Sequence, residues 1–397
     1  MDCLIVGKVW PEPSSTAAGR RTQDLMNALQ LGGWQVHFAS AAQPGAHALD
    51  LEQLGVQAHR IAVNDAGFDT WIQALAPDVV IFDRFMTEEQ FGWRVARCCP
   101  NTLRVLDTSD LHCLRVARER ALKTGESIQL RNETALREIA AIYRSDLTLM
   151  ISEYEMELLS QEFSVADYQL GYWPFALSLS RPVPNFEARS NFIMIGSFLH
   201  APNVDALRWC RQAIWPLIRT ALPAAELHFY GSYGERYGPE LHAPKDGFHY
   251  KGRAIDALAT MAEYRVNLAP LRYGAGLKGK VFDGFQSGTP TVMTAIAAEG
   301  ICAVPNGAQD EAVAFAKAAI KLNLDSQAWA SCQQEQYLLC NERFYLPYWQ
   351  PRLMDILLQA YDQKTARRAR NFVGQMLCHH QHRSTEFMSR WIEAKNK

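Results

Sequence analysis

Residues Leu268–Pro290 read LAPLRYGAGLKGKVFDGFQSGTP. An apolar run ends at Ala269, a loop with Gly274, Gly276 and Gly279 follows, and a helical period opens near Lys280. A strand, a glycine loop and a helix in that order form the repeating joint of a parallel α/β sheet. Glycines in such a loop let backbone N–H groups approach a ligand, and the helix N-terminus adds positive potential, so the joint suits a diphosphate. Lys278 and Lys280 add cations beside it. Asp283 lies three residues into the helix, on a face that suits ribose hydroxyls. The plainer reading is a chain turn with two solvated lysines. Three glycines and two lysines between Gly274 and Lys280 favour the anion.

The same alternation extends in both directions. Before this stretch come strands at Phe192–Ile195, Glu226–Tyr230, Phe248–Lys251 and Val266–Ala269, with helices at Val204–Arg219 and Ile255–Met261. After it come a strand at Thr291–Met293 and a helix at Glu311–Leu322. The N-terminal half repeats the layout, with apolar runs at Cys3–Val9, Gln35–Ser40, Gln57–Val63, Asp78–Phe82, Thr102–Asp107, Leu147–Ile151 and Tyr168–Trp173. Between them fall helical periods, including a charged one over Leu111–Arg144. The prolines Pro182 and Pro184 mark a linker over Ser180–Asn185. The fold class is therefore α/β, with two doubly wound Rossmann-like units facing across a cleft. In open parallel sheets ligands bind beyond the carboxyl ends of the strands, so the cleft is the place for chemistry. Periplasmic-type binding proteins and epimerases share this architecture, so the site must decide the function.

The chain has 397 residues, 40 Lys and Arg against 42 Asp and Glu, and a formal net charge of −2. That length fits two domains, and that charge gives no case for bulk nucleic-acid binding. No run of ~18 apolar residues is present, so no membrane span is expected. The opening MDCLIVGKVWPEP breaks at Pro11 without a charged leader or cleavage site, so a secretory signal is not expected either. Nine scattered cysteines without a Cys-x-x-Cys pair read as reduced thiols in a cytoplasmic protein. Trp209, Trp215 and Trp329 read as core packing. Cys378, His379, His380 and His382 are too close in sequence for a zinc finger's separated pairs and read as a polar tail.

With these residues in view, the chain resembles the family-4 retaining glycosyltransferases of the GT-B fold. The matching pieces are IGSFLHAPNVDA at Ile195–Ala206, ELHFYG at Glu226–Gly231, the glycine-lysine loop at Pro270–Lys280, QSGTP at Gln286–Pro290 and Ala298-Glu299-Gly300. They span about residues 192–301. A weaker N-terminal match rests on Gly19-Arg20 and on DTSDLH at Asp107–His112. One departure stands out: the first acid of the family's Glu-x7-Glu falls on Ala275, while the second corresponds to Asp283.

The resemblance implies a glycosyltransferase moving a sugar, with retention, from a nucleotide-sugar donor to an acceptor of undefined kind, with no obligatory cofactor or metal. No Asp-x-Asp motif sits at a strand end. It implies catalytic roles for His112, Lys280 and Asp283. It implies donor contacts at Gly196, Ser197, Gly274, Ala275, Gly276, Leu277, Lys278 and Glu299. Gly19, Arg20 and Asp110 fall on the acceptor or phosphate side. Its domains are an acceptor-side unit over 1–180, a donor unit over 186–345, and C-terminal helices over 346–397. The stripe Leu353, Ile356, Leu357 and Tyr361 is expected to return those helices to the first unit. A nucleotide-sugar epimerase and a non-catalytic binding module are the competing classes.

Overall fold

The central strands of both halves are largely apolar because helices cover both faces. Leu4, Ile5 and Val6 are buried in the first half, and Phe192, Ile193 and Val266 in the second. The computed structural model describes residues 1–178, 183–302 and 309–396, without the side chains of 380–382 and 396. Pro182, His380 and His382 thus fall outside the described residues or side chains.

The first sheet has seven strands: β1 Asp2–Gly7, β2 Gln35–Ser40, β3 Gln57–Arg60, β4 Val79–Asp83, β5 Leu103–Asp107, β6 Leu147–Met150 and β7 Leu170–Tyr172. Their order is β3-β2-β1-β4-β5-β6-β7. The second has five: β8 Ser190–Ile195, β9 Leu227–Tyr230, β10 Phe248–Tyr250, β11 Tyr264–Ala269 and β12 Thr291–Met293, in the order β10-β9-β8-β11-β12. Every pairing is parallel. Strand order reverses between β1 and β4 and again between β8 and β11. Crevices open at these two points, beyond Gly7 and Asp83 in one sheet and beyond Ile195 and Ala269 in the other.

The charged helical period over Leu111–Arg144 is two helices, His112–Thr124 and Glu133–Arg144. Gly125 ends the first with φ 73°, a left-handed position that favours glycine. Asn132 opens the second by accepting the Ala135 N–H.

The helix Leu346–Asp362 buries Leu353, Leu357 and Ala360 in the core that holds Leu25, Met26, Val36 and Trp173. Arg368 reaches buried Asp146 with Nη2 at 2.7 Å, and Asn371 Nδ2 donates to the Tyr143 carbonyl at 2.6 Å. Arg94 ion-pairs with Glu393 of the last helix. The chain therefore leaves the second sheet and closes against the first. Trp215 and Trp329 are buried as core residues, while Trp209 is partly buried at the edge of the second core. Cys3, Cys113, Cys210 and Cys340 are buried thiols without disulfides.

Candidate functional site

Two helix N-termini meet in the cleft. The helix Ala17–Leu31 begins after β1, where the Thr16 hydroxyl accepts the Gly19 N–H at 3.0 Å. The helix Gly279–Gln286 begins after β11 and its glycine loop. The approach is tight: a Cβ on Gly279 would lie 2.8 Å from the Cβ of Ala17. Gly19 is equally confined, since a Cβ there would lie 2.5 Å from the Glu12 backbone. Each helix N-terminus carries a partial positive charge.

Side chains reinforce that polarity. Arg20, from the first unit, places Nη1 2.5 Å from Asp283 Oδ1 of the second. Lys280 is half-buried and its ammonium is held by the Asn203 side-chain oxygen. Asn203 in turn donates Nδ2 to the Ser197 carbonyl at 2.8 Å, which fixes the turn that follows Gly196. Desolvation lowers the Lys280 pKa to about 8, with Asp283 opposing and Lys278 adding to the fall. A cavity of about 10 Å³ lies between Gly196, Asn203, Tyr230 and Lys280, at the point where the second sheet reverses order.

The glycine loop itself is bound to the first unit. Gly276 has φ 61°, and a Cβ there would lie 2.8 Å from that of Asp110. Its N–H donates to the buried Glu155 at 2.6 Å, and the same oxygen accepts the Leu111 N–H at 3.2 Å. One carboxylate thus ties both units together. Burial raises the Glu155 pKa to about 8, with Asp110 adding to the rise against the two amides. Ala275 packs on the first unit's core, and Leu277 is buried in the second. The Gly274 carbonyl accepts Arg118 Nη1 at 2.8 Å, and Arg118 grips Glu299 with both nitrogens at 2.8 and 2.6 Å.

Lys278 lies buried beneath the loop. It is only 6% exposed, donates Nζ to the Gly276 carbonyl at 2.6 Å, and lies 3.8 Å from Glu299. Desolvation lowers its pKa, while Glu299 opposes the fall. Glu299 is likewise engaged, with Arg118 as its partner. The Gly276 amide serves Glu155, so the loop does not offer all its N–H groups to a ligand.

His112 is the first residue of its helix and borders the same cleft wall as Asp110. Its Nδ1 lies 3.2 Å from the Asp110 carbonyl, 3.3 Å from Glu138 Oε1 and 3.5 Å from Asp110 Oδ1. Three oxygens around one nitrogen favour the proton there, which leaves Nε2 as the other face of the ring. Phe85 stands edge-on to the imidazole at 5.5 Å. Desolvation would raise the Asp110 pKa, but His112 and Arg115 outweigh it and hold the carboxyl below its usual range. Nearby, Arg84 holds φ 69° immediately after β4, an uncommon conformation for a non-glycine residue.

Glu155, Arg118, Asn203 and Glu138 escaped the sequence reading. Asn203 lies inside the quoted IGSFLHAPNVDA. The other three read as ordinary helix charges, because their partners are remote in sequence.

Residues 189–325 match the family model described as glycosyl transferases group 1. No curated protein matches the chain in sequence. Solved structures share its fold at low identity. Anabaena HepE, in complex with UDP and glucose, is 13% identical, covers 89% of this chain and 98% of its own, and gives a TM-score of 0.68. Sucrose-phosphate synthase from Thermosynechococcus elongatus is 14% identical over 91% of this chain and 100% of its own, with a TM-score of 0.66. TarM from S. aureus is 12% identical over 74% of this chain, with a TM-score of 0.57; the matched region spans 58% of TarM. The architecture is that of GT-B glycosyltransferases. Within it, the second unit carries a group 1 glycosyltransferase domain. Among the described residues no helix is long and apolar enough to cross a membrane.

Proposed function

We propose that this chain transfers a sugar from a nucleoside-diphosphate donor to an acceptor hydroxyl, with retention at the anomeric carbon. The observation that carries the reading is the meeting of two helix N-termini with a cation from each wall, Arg20 and Lys280, beside Asp283. This is chemistry for a diphosphate whose charge grows as it leaves. HepE is in complex with UDP and glucose, which supports a uridine nucleotide as the first probe for this chain.

In this reading Lys280 exchanges Asn203 for phosphate oxygens, and Arg20 does the same for Asp283. Asp283 is then released to accept ribose hydroxyls. The N-terminal amides of Gly279–Gln286 complete the cradle. The glycosidic C–O bond to the diphosphate breaks as the acceptor oxygen bonds to the same face, and the leaving phosphate takes the acceptor proton. His112 faces the transferred sugar. Lys278 and Glu299 act beneath the loop by holding its backbone. No step uses a metal ion. Retention and the acidic-residue roles rest on the family resemblance.

The test is a melting series with uridine, guanosine and adenosine diphosphates, followed by transfer and donor-hydrolysis assays. A ligand bound only by the native state adds RT ln(1 + [L]/Kd), about 2.7 kcal/mol at a hundredfold excess over Kd. Binding with transfer or hydrolysis supports the enzyme. Nucleotide-sugar interconversion without transfer points to an epimerase. Absence of any shift at millimolar nucleotide sinks the donor site and leaves a binding module.

A further inference from the structure

The edge of the second sheet carries a cluster that the transfer reading does not use. Among the described residues β10 is the edge strand of the sheet: it pairs with β9, and Phe248 also bridges Ala243. In that parallel register His249 lies opposite His228 and Phe248 opposite Leu227. Side chains alternate between the faces of a strand. Leu227, Phe229 and Phe248 accordingly enter the core fully buried. Glu226, His228 and His249 turn to the other face, where all three are half-buried.

The three converge. One ligand atom from each lies within 4.8 Å of the others. His228 Nε2 is 2.8 Å from Glu226 Oε2, and His249 Nε2 is 3.7 Å from Glu226 Oε1. Tetrahedral zinc bonds of ~2.0–2.1 Å place ligand atoms roughly 3.3 Å apart, so a small turn of the carboxylate brings one of its two oxygens to that spacing from both rings. His249 Nε2 is buried and has no hydrogen-bond partner. A lone hydrogen-bonded Glu–His pair does not account for it, since a buried ring nitrogen without a partner is costly.

The surroundings also fit. His228 Nδ1 meets the Tyr264 hydroxyl at 2.8 Å, and Tyr264 meets the Tyr230 hydroxyl at 2.8 Å. Metal-bound histidines commonly engage their second nitrogen in this way, which fixes the tautomer and the ring plane. The Glu226 side chain is 44% exposed, which leaves an open route from solvent.

We propose that Glu226, His228 and His249 bind one zinc-type divalent cation, with two imidazole nitrogens, one carboxylate oxygen and a solvent ligand. Imidazole with carboxylate suits zinc better than calcium or magnesium, which prefer oxygen. The ion pins the edge strand β10 to β9, away from the cleft chemistry, so the inference stands without the transferase reading.

The experiment uses the full chain, stripped with a chelator and titrated with Zn²⁺ against a competing indicator. Wild type should bind one ion in this site with micromolar or tighter affinity. His249→Ala and Glu226→Gln should each weaken that binding at least a hundredfold, and Tyr264→Phe by about tenfold through the second nitrogen of His228. The His379, His380 and His382 triple alanine variant should keep the ion. Circular dichroism must show each variant folded; an unfolded His249→Ala is replaced by His249→Gln. No zinc binding by wild type, equal binding by the Glu226 and His249 variants, or loss confined to the tail variant would each overturn the site.

Discussion

Arg20 and Arg21 are consecutive residues on one helix, and they serve opposite regions. Arg21 turns into the first unit, where it is 1% exposed, holds both Asp107 oxygens through Nε at 2.9 Å, and donates Nη1 to the Trp173 carbonyl at 2.8 Å. Arg20 turns into the cleft, with its side chain 29% exposed, and reaches Asp283 of the other unit. Both carboxylate partners are buried, but Arg20 keeps 29% of its own side chain exposed against 1% for Arg21. The exposure of the arginine separates a pair closed into one unit from a pair that bridges the cleft.

The largest effect should come from the buried side of that contrast. Arg21→Ala leaves the Asp107 carboxyl without its ion-pair partner in the core and should cost about 3–5 kcal/mol in chemical unfolding. Arg20→Ala should cost less than about 1 kcal/mol in the same measurement, yet diminish the melting shift given by UDP. If both variants lose equal stability and equal nucleotide response, the contrast is wrong.

Glu155 is next, because it joins the two regions. Its carboxyl is protonated in the folded protein up to about 8, against 4.5 for the ordinary group. Folding therefore favours the protonated form. The stability it contributes is full below about 4.5 and is lost as pH rises to about 8. Glu155→Gln should flatten that part of the melting profile; an unchanged slope between pH 5 and 8 would exclude Glu155 as its source.

Lys280→Ala should weaken UDP binding by roughly 10- to 100-fold, the loss of a charge-assisted bond of ~1.5–3 kcal/mol, with little change in unliganded melting. Since the Lys280 ammonium titrates near 8, wild-type UDP affinity should also fall as pH passes that value. The variant should not share this fall, and calorimetric titration at pH 7 and 9 measures it. The smallest effect expected is on turnover. His112→Ala removes one hydrogen-bonding group and should slow transfer by up to about tenfold with little loss of thermal stability. A variant that melts early while keeping full specific activity would make His112 a packing residue.

The local signals were legible. Apolar runs at Cys3–Val9 and Asp78–Phe82 showed buried strands, found at Asp2–Gly7 and Val79–Asp83, and Gly274–Lys280 showed a strand-to-helix joint with cations. The break at Gly125 was missed because charged helical sequence surrounds it on both sides. The partners of Lys278 were not legible, because the glutamates that face it, Glu299 and Glu155, lie outside the loop.

The sequence by itself determined the α/β class, the two-unit layout and the strand-to-helix joint at Gly274–Lys280, because each is written in neighbours within a turn or a strand. Only the tertiary structure decided which charges meet. Arg20 and Asp283 are 263 residues apart, Arg118 and Glu299 are 181 apart, and Glu155 and Gly276 are 121 apart. No local period encodes such pairs. They exist because two parallel sheets, each reversing strand order beside its own crevice, bring helix starts from distant parts of the chain to one cleft.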